Sequence, residues 1–472
     1  MTRLSYEALQ AENSQLKELV VSLKAEIDTL KERLTAYEHR LKKSSRNSSK
    51  PPGSDGLGKP NAPKRGKGGR RSGGQPGHKG QTLIRSKHVD HVRHHHPASC
   101  AYCGGSLTGD QNATITKTRQ VQDIPARRPL VITDHHVMAC QCKNCGETTI
   151  GTFPADVKAP VQYGHHLQEL VVYLAVSQLV PIRRIGQVIH TWTGTRLSEG
   201  TICNYIKSFA HRFEAVHTHL GELVKYALVT HFDETGMRVE GSLKWFHVGT
   251  TKAFCYFWLG QSRGDVMTQA TGVAIHDFWK SYQKKMPDAD HAYCLAHLVR
   301  ECQGLTEMGE KWTAKLARLF YDMMKADQQG QLPSAKAIAA MEARFDRILK
   351  EGFEYHDQLD PLPQKSRGRP KRRPGHNLAH RLQDTREGTL LCLHNPLVDA
   401  TNNLAERDLR PLKLKQKISG SFRSKDGARY YATLRSVLET ARKQGWNALD
   451  TLGKEAAELI ECLTSEEPIP DT

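Results

Sequence analysis

The sequence contains no run of 18 or more apolar residues, which excludes a conventional membrane-spanning helix. It opens Met1-Thr2-Arg3 and passes directly into a heptad pattern, without the basic, apolar and small-residue order of a secretion leader. Its 11 cysteines are odd in number, and without a leader they do not read as a disulfide framework. Four of them fall in two CxxC pairs, which points to metal ligation. Acidic side chains are in deficit: 50 Asp and Glu stand against 68 Lys and Arg, giving a formal charge of +18 and a pI near 9.4. The excess is clustered, as expected of a chain with a polyanionic partner, nucleic acid being the commonest. Apolar residues make up 38% of the chain, enough to fold, and their shortage is local and marks linkers. At 472 residues the chain exceeds a single core, so several domains are expected.

Residues 1–42 carry the heptad repeat. Leu9, Leu16, Leu23, Leu30 and Tyr37 recur every seven residues, and Asn13, Val20, Ile27, Leu34 and Leu41 do so in a second register. Charged residues lie between the two rows, the pattern of a coiled coil in which Asn13 at an a position favours a dimer. Residues 43–90 read as a linker rich in Ser, Pro and Gly, with a basic run at Lys64, Arg65, Lys67, Arg70 and Arg71. That run lacks the apolar residues that offset ordering entropy, yet it can neutralise phosphates without a fixed fold.

Residues 91–158 hold Cys100-x-x-Cys103 and Cys142-x-x-Cys145. Each pair can form a tight knuckle aiming two thiolates at one ion, and two knuckles complete a tetrahedral zinc site. Gly104 and Gly146 directly follow the second cysteine of each pair, where a turn is needed. Val131, Thr133, His135 and Val137 alternate and predict a strand between them. Together these features predict a zinc-ribbon-like module with one structural Zn2+. Residues 159–222 read as helical. A helix capped by Ser198 follows a short turn, the outline of a helix-turn-helix that could meet DNA.

The period changes over residues 223–300. Tyr226–Asp233, Trp245–Gly249, Phe254–Leu259 and Gly272–Asp277 read as strands, two of them ending in Asp, and Ala292–Leu295 reads as a short fifth. Residues 301–395 read as helical, broken by a basic loop in which Arg367-Gly368-Arg369-Pro370 has the form of a minor-groove hook. Residues 396–465 read as helical again and carry Glu406. Adjacent strand ends would place Asp233 and Asp277 a few ångströms apart, and Glu406 could close the group. Three carboxylates with open positions suit two Mg2+ ions, with Mn2+ as a substitute. Asp288 and Asp290 are rivals of Asp277, and Glu234 is a rival of Asp233 that alternation directs to the opposite face.

The order of short motifs is distinctive. It runs from Asn47-Ser-Ser-Lys-Pro-Pro52 and Gly73-Gly-Gln-Pro-Gly-His78 through the CxxC pairs to His231-Phe-Asp-Glu-Thr235, His276-Asp277 and Cys294-Leu-Ala-His297. It ends with Asn402-Asn-Leu-Ala-Glu-Arg407, Arg410-Pro411 and Ser421…Gly427-Ala428. In this the chain resembles transposases of the IS-sixty-six (IS66) family, bacterial insertion-sequence enzymes of the DDE class. The resemblance implies a ribonuclease-H-like α/β core with Asp233, Asp277 and Glu406 as metal ligands. Because 128 residues separate Asp277 from Glu406, a helical insertion must interrupt that core. The expected architecture is thus multidomain α+β: coiled coil, linker, zinc-ribbon-like module, helical DNA-binding region and interrupted catalytic core. The expected activity is cutting of DNA at insertion-sequence ends and joining of the 3′-hydroxyls to target DNA by two-metal phosphoryl transfer. Arg407 and Arg410, beside Glu406, would hold phosphates. The expected partners are double-stranded DNA, a second copy through the coiled coil, and accessory proteins of the same element, in the bacterial cytoplasm at the nucleoid. The alternative reading is a zinc-ribbon DNA-binding regulator with an inactive nuclease-like core, distinguished by absence of metal-dependent cleavage.

Overall fold

The computed structural model describes residues 6–42, 84–96, 98–106, 114–122, 130–141, 143–144, 147–327, 332–362 and 372–465. Lys64, Arg65, Lys67, Arg70, Arg71, Arg367, Arg369, Cys142 and Cys145 lie outside the described residues. Internal contacts divide the chain into two units, residues 62–132 and the remainder. Among the described residues no helix is long and apolar enough to cross a membrane.

In the smaller unit, side chains of Gln120 and Gln122 bind the backbone near Ser86 and Ile84. The first CxxC pair sits in a tight knuckle. The Cys100 amide donates to the Gly105 carbonyl at 2.8 Å, and the Gly104 amide donates to the Cys100 carbonyl at 2.9 Å. Gly104 has φ +72°, the left-handed region that favours glycine, so its place after Cys103 has a backbone cause.

In the larger unit, the heptad segment forms one helix, α1 (Tyr6–Lys42). Among its described side chains, Leu16, Leu23, Ile27, Leu30, Leu34 and Tyr37 are exposed. The alternation at 131–137 does not form a strand. The strands here are β1 (Ala139–Gln141) and β2 (Thr148–Ile150), an antiparallel pair whose connection contains the second CxxC. Val131 and Ile132 are 95% and 86% exposed, so their alternation has no apolar layer to face.

Four helices follow: α2 (His165–Val176), α3 (Ile182–Thr193), α4 (Glu199–Arg212) and α5 (Glu214–Lys225). Gly194, at φ +77°, ends α3, and the Ser198 hydroxyl accepts the Thr201 amide at 3.0 Å to cap α4. The expected cap residue is thus the observed one.

The five expected strands form one sheet: β3 (Val229–Val239), β4 (Ser242–Thr250), β5 (Cys255–Gly260), β6 (Val273–His276) and β7 (Asp290–Tyr293). Their order is β5-β4-β3-β6-β7, with the first three antiparallel and β6 and β7 parallel to β3. A two-residue loop joins β3 to β4. Both of its residues, Glu240 and Gly241, have positive φ, the geometry that matches the twist of a tight hairpin. Asp233 does not end its strand, as the sequence pattern suggested. β3 continues six residues further because Met237 and Val239 bury against helices beyond the sheet. The fifth strand also lies two residues earlier than expected, since Leu295 already begins a helix.

One sheet face, including Phe232 and Ala274, packs on α6 (Lys280–Lys285) through Tyr282. The other face meets helices. Ile275 and Ala292 pack on α7 (Leu295–Glu307), which leads into α8 (Lys311–Asp327), α9 (Ala335–Asp357), α10 (Pro374–Asp384) and α11 (Arg386–Leu390). These helices occupy much of the 128 residues between Asp277 and Glu406. The chain then returns through α12 (Asn403–Ser419) and α13 (Lys425–Lys443), which cover the β3–β5 half, and ends in α14 (Ala448–Gly453) and α15 (Ala456–Ser465). α13 also protects the β5 edge: the Ser436 and Thr440 hydroxyls accept the Phe257 and Cys255 amides at 2.8 and 3.0 Å.

The return is fixed by Asn402, which is 1% exposed. Its side-chain amide donates to the Phe232 carbonyl at 2.7 Å, and its oxygen lies 3.2 Å from His231 Nδ1. Its backbone amide donates to Cys294 Sγ at 3.2 Å. One residue therefore joins β3, the start of α7 and the start of α12. Asn402→Ala would remove the side-chain donor to the Phe232 carbonyl and the partner of His231 Nδ1, leaving the imidazole only its contact to Asp399 at 3.2 Å. It is expected to destabilise the fold by about 1–3 kcal/mol in urea unfolding. A loss near zero would show that the junction is held by packing alone.

Candidate active site

Asp233, Asp277 and Glu406 come from three different elements. Asp233 lies just past the last β3–β6 pair, His231↔Ile275, where β3 still pairs with β4 but its β6 side has opened. Asp277 is the residue that follows β6. Glu406 lies in the first turn of α12, which the Asn402 junction sets over the same part of β3. All three carboxylates are partly exposed at this opening. Asp290 pairs with Val273 at the opposite end of β6, about four residues or ~13 Å along the sheet from Asp277.

The electrostatics reflect the crowding. Burial, then the charges of Glu234, Glu406 and Asp277, hold the Asp233 carboxyl well above the usual carboxylate range. The Glu234 amide, donating to Asp233 Oδ1 at 2.8 Å, opposes this only in part. The charges of Glu406 and Asp277 thus add at Asp233, a crowding that a cation there would relieve.

Glu234 takes a different role. It shares the Phe232 side of β3, as alternation required, and both residues meet Tyr282. Its carboxylate accepts from the Tyr282 hydroxyl and pairs with Arg263 Nε at 2.6 Å. Arg263 also reaches Asp277 Oδ2 at 3.3 Å and lies over the Trp279 ring, 4.3 Å from its centre. Asp277 Oδ1 accepts the Trp279 amide at 2.9 Å. Arg263 thus orients Asp277, and among the described residues no arginine or lysine pairs with Asp233. Sequence reasoning missed Arg263 and Tyr282, since neither belongs to a motif and only the folded loop brings them here.

On the Glu406 side stand His297 and Arg300 of α7. His297 Nδ1 is 3.8 Å and Arg300 Nη2 is 3.6 Å from Glu406 Oε1, both too long for a hydrogen bond. Burial, followed by the Arg300 charge, lowers the His297 pKa to about 4, so the imidazole is neutral at physiological pH. Glu406 Oε1 and His297 Nδ1 are both buried and lack a hydrogen-bond partner. A buried carboxylate oxygen without a donor is the vacancy that a cation would satisfy, so these residues fit a divalent ion. Arg407 and Arg410 are exposed on α12. Arg410, Lys413 and Lys417 follow Glu406 at helical spacing and form a basic stripe leading away from it.

In the knuckle at Cys100, the Tyr102 and Cys103 amides point at the sulfur and lower its pKa, with the Cys103 side chain adding to the effect. Amide donors of this kind favour the thiolate that a metal requires. A separate cluster at the start of α2, His165, His166 and Glu169, has both histidines exposed.

A mixed sheet of this order, covered by helices and opening on acidic side chains, defines the chain as an α+β protein with an acidic cleft. The family described as Transposase IS66 family matches residues 160–430, more than half of the chain, and the chain belongs to that family. Residues 2–83 match a second family, described as a family of unknown function, DUF6444. The chain is also similar to the uncharacterized protein y4jO of Sinorhizobium fredii, with 28% identity over 176 residues. That match covers 35% of this chain and 48% of the relative, so the chain spans about half the length of the curated protein it matches.

The carboxylate crowding carries a stability consequence. The Asp233 pKa is raised on folding, so its repulsion is absent at acid pH, where it is protonated in both states. Stability is lost as pH rises through the folded value. Asp233→Asn is therefore expected to raise the melting temperature of metal-free protein at neutral pH, by about 2–4 °C per kcal/mol relieved. The gain should vanish below the ordinary carboxylate range. A variant that melts lower than the wild type at pH 7 would contradict the crowding.

Proposed function

We propose that the chain is a DDE-type DNA transposase whose Asp233, Asp277 and Glu406 hold two divalent metal ions. The observation that carries the reading is the crowding of negative charge at Asp233, to which Glu406 and Asp277 both contribute, in a chain of the IS66 transposase family. The strand order and directions, with a helix returning Glu406, support a ribonuclease-H-like core interrupted by α8–α11.

Bound divalent ions would supply Lewis acidity to the attacking oxygen and neutralise charge on the leaving oxygen of an in-line phosphoryl displacement. Asp233, whose charge couples to the other two, would help to hold both ions. Asp277, held by Arg263 and the Trp279 amide, would help to hold one, and Glu406 the other. Mg2+ or Mn2+ suits these oxygen donors. Arg407, Arg410, Lys413 and Lys417 extend the cleft as a cationic track for the DNA backbone. With the basic linker and the Arg367–Pro370 hook, they account for a +18 chain. The chemistry is cleavage at element ends followed by attack of the 3′-hydroxyl on target DNA.

Asp233→Asn, Asp277→Asn and Glu406→Gln are each expected to lower Mg2+-dependent cleavage of labelled element ends by 1,000-fold or more, on the order of 4 kcal/mol. DNA binding in gel shift should change less than tenfold. Cleavage that survives Asp277→Asn but not Asp290→Asn would reassign the second ligand. A wild type that binds ends yet never cuts them would make the protein a DNA-binding regulator.

The same proposal includes a structural zinc at Cys100, Cys103, Cys142 and Cys145, supported by the Cys100 knuckle. It also includes a parallel dimer through α1, supported by the exposed apolar rows of a 37-residue helix. Placing Asp at Leu16, Leu23 and Leu30 puts unpaired charge into that seam. The variant is expected to become monomeric in light scattering while elemental analysis still finds one zinc per chain. A variant that stays dimeric removes the zipper, and a wild type without zinc removes the ribbon.

A further inference from the structure

Two side-chain atoms beside the proposed metal pair are buried without a hydrogen bond, and they face each other. They are Nδ1 of His297, in the first turn of α7, and Oε1 of Glu406, in the first turn of α12. Their separation is 3.8 Å. Two ligands on one ion, at bonds of about 2.1 Å, lie ~3.0 Å apart when cis and ~4.2 Å apart when trans. The gap thus falls in the range of a shared ion and outside that of a hydrogen bond. A third potential donor, Cys294 Sγ, lies within 4.8 Å of both. It is fully buried and already accepts the Asn402 amide, so it positions the two helix starts and leaves the ligand place to His297.

Local structure fixes the imidazole. The His297 amide donates to the Cys294 carbonyl at 3.1 Å, which holds this first turn tightly against the junction. Arg300, one turn on, approaches the same Oε1 only to 3.6 Å and makes no hydrogen bond to it. Among the described residues, therefore, neither the guanidinium nor the imidazole gives this oxygen a hydrogen bond.

We infer that His297 is a fourth protein ligand of the active site and binds through Nδ1 the same divalent ion as Glu406. The inference rests on the two-metal reading above and deepens it. An imidazole in the set favours ions with affinity for nitrogen, so the Glu406-side position takes Mn2+ in preference to Mg2+, whereas the Asp277 side, all oxygen, does not discriminate in this way.

The test is pulsed electron paramagnetic resonance of Mn2+ added to the full-length protein. Wild type is expected to show echo modulation from a directly bonded imidazole nitrogen, altered when the protein is grown on nitrogen-isotope-labelled histidine. His297→Ala and His297→Gln should each lose that modulation and bind Mn2+ about tenfold more weakly, while Mg2+ affinity changes less. Wild-type Mn2+ without any histidine nitrogen overturns the inference without recourse to a variant. A nitrogen signal that persists in both substitutions also overturns it. The two-metal reading fails separately, and the inference with it, if Mn2+ binding is unchanged by Asp233→Asn together with Glu406→Gln. Loss of nitrogen coupling in both His297 variants, with carboxylate-dependent Mn2+ binding retained, establishes the ligand.

Discussion

The buried side chain of Asn402 is the contact on which the arrangement of the cleft depends. An amide that gives its donor to the Phe232 carbonyl and its acceptor to His231 fixes position, direction and register together. Apolar packing alone would not, because a helix can slide or rotate on an apolar sheet face at small cost. Glu406 lies four residues on, and its own amide donates to the Asn402 carbonyl at 3.2 Å. The carboxylate is thus one helical turn from a fixed point on the strand that carries Asp233. A second junction supports the same helix further along. Asp408 accepts from Thr250 at 2.8 Å and pairs with Lys443 at 2.9 Å, tying α12 to β4 and α13 in the interior.

Around that fixed geometry, charge is distributed unevenly. Glu234 and Asp277 share Arg263, which offsets part of their negative charge, although burial and the Asp277 charge still hold the Glu234 carboxyl above its usual range. Among the described residues Asp233 pairs with no arginine or lysine and carries the charges of Glu234, Glu406 and Asp277, opposed in part by the Glu234 amide. An acid in such surroundings is relieved by a cation from outside. Burial and neighbouring carboxylates thus cost stability at Asp233, while the surrounding network holds Glu234 and Asp277 in place.

The helical insertion has a clear mechanical role. Its own apolar core, including Leu316, Phe320, Phe345 and Leu382, packs on α7 and the β6–β7 side of the sheet. It therefore stands on the framework that also positions His297 and Arg300. The chain leaves the sheet after α7 and returns beside it, with the Leu295 amide donating to the Ala400 carbonyl at 3.0 Å. A long excursion whose ends are hydrogen-bonded to each other need not disturb the core it interrupts.

Much of this was legible in the residues, because some signals are local. Alternation and apolar runs marked all five strands of the main sheet, Ser198 marked its helix start, the heptads marked α1, and the 128-residue gap required an excursion. Strand alternation also separated Asp233 from Glu234. Other features depend on partners distant in sequence. The apolar run stops at Asp233, yet β3 continues, since the partners of Met237 and Val239 arrive from distant helices. The alternation at 131–137 had no layer to pack on and made no strand. Arg263, Tyr282 and His297 carry no short-range signal of their role, because electrostatic partnership is decided by distance through space. The sequence by itself determined most of the elements, since periodicity acts within a few residues, and its resemblance to the IS66 family nominated the three candidate carboxylates. Only tertiary structure decided which acid is compensated, which oxygen is left without a donor, and how Glu406 returns to Asp233, since hydrogen bonds and charges act between whatever the fold brings together.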